Sequence, residues 1–234
     1  MKANYLFDTV ESTMLEYEKI RGISSEYANI TVRAVSQSGG MGRGGHRWHS
    51  PQGGLWFTFD FAHQEAVESF ALYAGHCLHK LLRRLYRLDD LKIKWTNDIY
   101  YQDKKIAGIL CRYQIVEHFY VIGLGLNTNN TVDPDIIPTQ AVPLREILSY
   151  DVSNEYLMKL FIAEMNDSKH LLDQPSSYLE YCDANLYGKG RVATLEQGRD
   201  LIEGRILGLD EYGHLRLDCG ELKTISYGTL VNIG

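Results

Sequence analysis

The segment Ser38-Gly39-Gly40-Met41-Gly42-Arg43-Gly44-Gly45-His46-Arg47-Trp48 constrains the fold of this chain more than any other. Its five glycines argue against regular helix and against a packed strand, because glycine loses the most freedom on ordering and offers no side chain to pack. A loop with a special backbone path is expected. Glycine lets backbone N–H groups approach an anion closely, and Arg43 and Arg47 add charge, so the loop suits phosphate. It is not a P-loop, since no Lys-Ser or Lys-Thr follows the glycines. Nor is it a dinucleotide fingerprint, since Ser50-Pro51 and a strand follow where a helix should open. A flexible surface loop is the alternative. Trp48 favours a ligand, because a large aromatic among glycines can fold over an apolar group or a base.

Around this loop the chain reads as helix and strand in alternation. Tyr5 to Phe7 is a short strand, and Ser12 or Thr13, with Glu16 three residues after Thr13, resembles a capping box that opens a helix closed by Gly22. Ile30 to Gln37 and Leu55 to Phe61 alternate as strands, and Glu65 to Tyr86 repeats apolar residues at helical spacing. Leu91 to Trp95, Ile99 to Gln102, Ile106 to Ile115 and His118 to Leu126 read as an antiparallel meander with turns at Asp103-Lys104 and Glu117-His118. Pro134 and Pro138 mark an exposed loop, Pro143 opens a short helix, and Ser153 caps another running through Leu172. From about Leu186 short strands separated by glycines suggest a small barrel, which sets a boundary near Asn185: residues 1–185 and 186–234.

Charge and cysteine usage limit the partners. With 24 Lys+Arg against 30 Asp+Glu the formal charge is -6, so no overall positive field draws the chain to nucleic acid or anionic lipid. No stretch reaches the roughly 18 apolar residues a membrane span needs, and Met1 to Glu11 lacks a basic region followed by an apolar run, so a cytoplasmic protein is expected. Cys77, Cys111, Cys182 and Cys219 are far apart and read as reduced and idle. The eight histidines, His76 and His79 included, show no zinc-ligand spacing, and no nucleophile elbow is present.

Two further motifs carry chemistry. Lys94-Trp95-Thr96-Asn97-Asp98, followed by Lys104-Lys105-Ile106-Ala107-Gly108-Ile109, brings a cation, an amide and a carboxylate close together at a turn, a cradle for a nucleotide and its Mg²⁺. A plain turn with a solvated Lys104-Lys105 tip is the other account. In Gly123-Leu124-Gly125-Leu126-Asn127, small residues in a strand let a ligand or another backbone approach closely, or simply let strands cross tightly.

Taken in order, Glu11-Ser12-Thr13, Gln37, Gly40-Met41-Gly42-Arg43-Gly44-Gly45, Trp48 with Ser50-Pro51, Lys94 to Asp98, Lys105-Ile106-Ala107-Gly108-Ile109-Leu110 and Gly123 to Asn127 resemble a biotin protein ligase, closely over residues 5 to 130. The resemblance implies an α+β fold: a mixed or antiparallel sheet packed with helices, class II synthetase-like, plus a small SH3-like carboxy-terminal barrel. It also implies activation of biotin by MgATP as biotinyl-5′-AMP and transfer to a lysine of a biotin carboxyl carrier domain. By the same resemblance Lys105 and Arg43 are catalytic. Ser12, Thr13, Met14, Gln37, Gly40, Met41, Gly42, Arg43, Lys105, Gly108, Gly123 and Gly125 bind biotin. Arg43, Arg47, Trp48, Lys94, Asn97, Lys105 and Asn127 bind the nucleotide, and Asp98 serves the metal.

The family's DNA-binding amino-terminal domain has no expected counterpart, because Ser12-Thr13 falls so near Met1; a ligase without repressor function is expected. Pairing of two copies through an exposed sheet edge is a further expectation. Met14, Met41, His46 and Thr96 depart from the family's usual residues, and Met41 and His46 leave the loop with less fixed charge. The rival readings are a lipoate or octanoate ligase or transferase of similar fold, and a non-catalytic sensor of biotin or nucleotide.

Overall fold

The computed structural model of the chain describes residues 3–23, 29–133 and 141–234. In chain order its elements are β1 (Ala3–Val10), α1 (Thr13–Ile23), β2 (Ile30–Gln37), β3 (Leu55–Ala62), α2 (Phe70–Tyr86), β4 (Leu91–Lys94), β5 (Asp98–Tyr101), β6 (Lys104–Gln114), β7 (Phe119–Leu126), α3 (Leu144–Leu148), α4 (Asn154–Asp167), α5 (Pro175–Ala184), β8 (Val192–Gln197), β9 (Asp200–Leu209), β10 (Leu215–Asp218), β11 (Leu222–Ile225) and β12 (Thr229–Ile233). Pro134 and Pro138 lie outside the described residues. The chain divides into two compact units, residues 1–66 with 103–162, and residues 67–102 with 163–234.

In the first unit the strands run in the order β1-β2-β3-β7-β6. β1 and β2 are parallel, which requires a crossover, and α1 supplies it. β2–β3, β3–β7 and β6–β7 are antiparallel. β3 follows from its sequence: alternate residues Phe57 and Phe59 stack at 5.5 Å on one face, and Phe161 of α4 meets both edge-on at 6.4 and 6.0 Å. On the other face Met14 and Tyr17 of α1 join Ile30, Val32, Phe119 and Val121 in a second apolar cluster, with Met41 and Leu110 at its margin.

The second unit holds α2, the β4–β5 hairpin, α5 and a five-stranded antiparallel sheet in the order β11-β10-β9-β8-β12. The Trp95–Thr96 peptide between β4 and β5 is cis. The expected short carboxy-terminal strands form this sheet, with Gly198, Gly213, Gly220 and Gly228 at positive φ in or beside its turns. α2 is buried on all sides from Leu72 to His79, keeps Leu81 and Leu82 buried beyond that, and ends on Arg87 in the left-handed region. No helix among the described residues is long and apolar enough to cross a membrane.

Several local expectations are corrected. β1 extends well past Tyr5–Phe7, because pairing with β2 continues to Val10↔Gln37. The capping box does not form: α1 starts at Thr13, Ser12 caps it by accepting the Met14 N–H at 3.3 Å, and Glu16 pairs with Lys19 at 3.0 Å. Gly22 lies inside α1 instead of closing it. α2 opens at Phe70, not Glu65, and Leu172 belongs to a separate 3-10 turn after α4. α5 was not foreseen; Pro175 at its first turn is the signal that marks it.

Candidate functional site

The glycine segment is more ordered than a loop. Gln37 N–H donates to Ser50 O (3.0 Å), Trp48 N–H to Gly40 O (2.8 Å) and Gly42 N–H to His46 O (2.8 Å), so the two flanks zip together toward a tip at Arg43–Gly45. Gly44 and Gly45 make that tip at φ of 61° and 80°, where other residues are strained. Arg47 donates to Ser38 O across the base. These bonds engage the amides of Gly42, His46 and Trp48 within the segment itself, while Ser38 and Gly39 N–H go to Val10 and Glu11 carbonyls. The expectation that the backbone of residues 40 to 45 cradles an anion is narrowed accordingly, since the Gly42 amide is already committed. Gly40 is required for another reason: a Cβ there would strike Trp48 O and stand 2.7 Å from Ser50 Oγ.

Where β2 ends, a chain of polar groups running through half-buried Gln37 meets the start of α1. Gln37 Oε1 accepts the Thr13 N–H at 2.8 Å and Gln37 Nε2 donates to Ser50 Oγ at 2.7 Å. Thr13 Oγ1 accepts from Thr58 Oγ1 of β3 at 2.9 Å. Ser12, Thr13, Ser50 and Thr58 are all buried, so each hydroxyl needs a partner, and the network supplies partners to them. The sequence reading missed Thr58. A lone hydroxyl in the apolar run Leu55 to Phe61 was the available signal.

The strand glycines line up beside this network. Register sets Gly108 opposite Gly125 and Gly125 opposite Trp56, with Leu110 and Thr58 flanking Gly123 one row on. Paired residues and their i+2 neighbours share a face, so these three glycines leave a shallow strip on one side of the sheet. Over Gly123 lies Met14, whose Sδ would be 2.9 Å from an added Cβ; over Gly125 lies the Trp48 indole. Trp48 meets Trp56 edge-on at 6.4 Å and 68°, and Lys105 Nζ stands 4.9 Å from its ring centre. Trp48 Nε1 is buried with no hydrogen-bond acceptor.

The structure thus brings Ser12, Thr13, Met14, Gln37, Gly40, Trp48, Lys105, Gly123 and Gly125 into one linked set, with Gly108 in the same sheet row. Met41 bridges to Arg47 within the hairpin, and Arg43 sits at the tip. Asn127 is used structurally: it is buried, its N–H goes to Ile106 O at 2.8 Å, and its Oδ1 accepts from Asn130 at 3.1 Å. Lys94, Asn97 and Asp98 lie in the second unit, where Lys94 pairs in register with Asp98 across the hairpin and its ammonium reaches Tyr100 OH at 3.3 Å. Among the described residues no three His, Cys, Asp or Glu stand together as a metal cluster. Burial pushes the Cys77 thiol up to about 12 and raises that of Cys182, which fits idle core cysteines.

The arrangement is a parallel β1-α1-β2 crossover in a mixed sheet, with a strip of strand glycines beside a glycine hairpin. Residues 6–129 match the Biotin/lipoate A/B protein ligase family, and the chain belongs to that family. It is similar to the bifunctional ligase/repressor BirA of Escherichia coli (strain K12), 29% identical over 200 residues that make up 79% of this chain and 60% of that protein. It is also similar to biotin–protein ligase 2 of Arabidopsis thaliana, 32% identical over 125 residues, 46% of this chain and 37% of that one. The chain thus spans well under two thirds of these relatives' lengths. In fold it is similar to the biotin protein ligase from Aquifex aeolicus in complex with biotin and ATP, with a TM-score of 0.84, 24% identity and 97% of each chain covered.

Proposed function

We propose that the chain is a biotin protein ligase. The observation that carries this is the shape of the linked set. A hydrogen-bonding end, with Thr13, Ser50 and Thr58 buried and Gln37 half-buried, adjoins an apolar glycine strip under Met14 and Trp48, and a lysine stands at the Trp48 end. Biotin has a polar ureido ring, an apolar body and chain, and a terminal carboxylate, in the same order. Leaving the ureido groups unpaired in such a site would cost about 1–3 kcal/mol each.

In the first step the biotin carboxylate attacks the α-phosphorus of ATP; the new O–P bond gives biotinyl-5′-AMP and pyrophosphate leaves. In the second, a lysine amine of a biotin carboxyl carrier domain attacks the acyl carbon, the C–O bond to AMP breaks, and an amide forms. Lys105 is assigned the carboxylate and then the acyl phosphate oxygens, where a fixed cation favours both attacks. Arg43 at the hairpin tip is assigned the phosphates, and Trp48 shields the mixed anhydride from water. Ser12, Thr13, Met14, Gln37, Gly40, Met41, Gly42, Gly108, Gly123 and Gly125 are assigned to biotin. Arg47, Lys94, Asn97 and Asn127 are assigned to the nucleotide. With no three-ligand cluster among the described residues, the donor set does not form a protein cage for Mg²⁺. It fits an ion that keeps water and phosphate ligands and takes one carboxylate, Asp98; when bound, the ion neutralises phosphate charge.

On this proposal residues 1–185 form the catalytic domain and 186–234 a small β domain, and the chain works in the cytoplasm. The edge strand β1, with Leu6 exposed, suits pairing with a second copy. Acid-dependent ATP–pyrophosphate exchange tests the proposal: biotin should support exchange and lipoate and octanoate should not. Exchange with lipoate or octanoate alone would assign the chain to that other activity. Biotin binding without any exchange would make it a sensor.

A further inference from the structure

Beyond the groups assigned to substrate, one half-buried carboxylate ties together the three elements that carry the hydrogen-bonding end of the site. Asp60 Oδ2, on β3, accepts the Tyr17 hydroxyl of α1 at 3.2 Å and the Ile30 N–H, at the first residue of β2, at 3.0 Å. Thr58, two residues earlier on the same strand, bonds Thr13. Residues 13 and 17 are one helical turn apart, about 5–6 Å of rise, and residues 58 and 60 are two strand positions apart, about 6–7 Å. The spacings match, so α1 rests on β3 by two rungs, and only the Thr58–Thr13 rung belongs to the site itself. The second rung also holds the start of β2, whose far end presents Gln37 to the Thr13 N–H.

We propose that Asp60, acting through Tyr17 and Ile30, is a positioning residue that holds Thr13 and Gln37 in register for the ring end of the acid substrate. Asp60 touches no part of the site and is not catalytic. This rests on the biotin ligase proposal above. Without the second rung α1 is free to rock about the Thr58 contact, which loosens Thr13 against Gln37 while leaving the Trp48–Lys105 end of the strip in place. The consequence is weaker binding of the acid, with binding of ATP and turnover at saturation preserved.

The surroundings add a pH dependence. Burial holds the Asp60 carboxyl above its ordinary range, against the Tyr17 hydroxyl, the Ile30 and Asn29 N–H groups and the charge of Arg21, which all favour the anion. Tyr17 faces Asp60 and Arg21, with Glu117 from the β6–β7 turn acting on it as well. Protonation on acidification removes the charge from both hydrogen bonds and weakens the rung.

The test measures KM for biotin, KM for ATP and kcat in ATP–pyrophosphate exchange for wild type, Tyr17→Phe, Asp60→Asn and the double variant between pH 5 and 8. Losing one such bond should raise KM for biotin about 3- to 10-fold and leave KM for ATP and kcat within about twofold. The double variant should be no worse than the poorer single one, because both break one rung. In wild type KM for biotin should climb as the pH falls, and in Asp60→Asn it should stay flat. If Asp60→Asn fails to fold, Tyr17→Phe, which deletes one oxygen from the Asp60 rung, carries the same KM test. An unchanged KM for biotin in folded Tyr17→Phe overturns the positioning role alone, as does an equal rise in both KM values or a wild-type pH response that persists in Asp60→Asn. Absence of biotin-dependent exchange in wild type overturns the ligase proposal and this one together.

Discussion

Replacing Gly125 with alanine tests the placement of Trp48 directly. An added Cβ would fall on Trp48 Nε1, 2.5 Å from Cε2 and 2.9 Å from Cζ2. Ordinary carbon contacts need roughly 3.5–4.0 Å, so the indole must retreat by about 1 Å. It cannot do so freely, because Trp56 stands edge-on at 6.4 Å and Lys105 lies at 4.9 Å from the ring centre. Overpacking of this kind costs about 1–3 kcal/mol. For a chain of this size that corresponds to a fall in Tm of about 2–12 °C. Gly123→Ala is the internal control: its Cβ would meet Met14 Sδ at 2.9 Å, and a flexible thioether yields, so the cost should stay below about 1 kcal/mol. Thermal unfolding followed by circular dichroism, together with biotin-dependent exchange, reads both effects. Gly125→Ala should lose stability and most of its exchange, and Gly123→Ala much less of either. Wild-type stability in Gly125→Ala, or a larger loss in Gly123→Ala, would refute the packing of Trp48 over Gly125.

Three other outcomes are expected. Lys105→Ala should abolish both half-reactions with the fold retained, and normal single-turnover transfer from supplied biotinyl-AMP would refute a shared role. Arg43→Gly should release biotinyl-AMP more readily than it slows its synthesis, read as increased labelling of bystander protein lysines; labelling no higher than wild type would exclude retention by Arg43. His214 lies between Glu68 (2.7 Å) and Asp210 (3.1 Å), and chiefly its hydrogen bond to Glu68 raises its pKa above the ordinary 6.5. A raised folded value favours folding fully below about pH 6.5 and loses that contribution as the pH rises through the folded value, so the urea midpoint should fall over that window in wild type and not in His214→Gln.

Much of this was legible in the chain itself. Alternation found β2 and β3, glycine punctuation found the five carboxy-terminal strands, and the apolar spacing from Phe70 to Leu85 found α2. Its start was misplaced because Val67 continues the helical spacing, although the helix begins only after Ser69. Ser12 was legible as a helix start, but the capping partner was not, since only the fold puts Gln37 against the Thr13 N–H. The glycine run promised an unusual backbone, yet not the hairpin, whose pairing of Gly40 with Trp48 depends on bonds that no periodicity encodes. Long-range meetings were out of reach: Lys105 with Trp48, Thr58 with Thr13 and Asp60 with Tyr17 are set by how the glycine hairpin and α1 pack on the sheet.

The central claim is tested most directly by the complete reaction. Purified chain, biotin and MgATP would be incubated with a biotin carboxyl carrier domain and the acceptor's intact mass measured. The account predicts one biotinyl group on one lysine of the acceptor, none without ATP, and none when lipoate replaces biotin. An unmodified acceptor, or modification with lipoate alone, would contradict it.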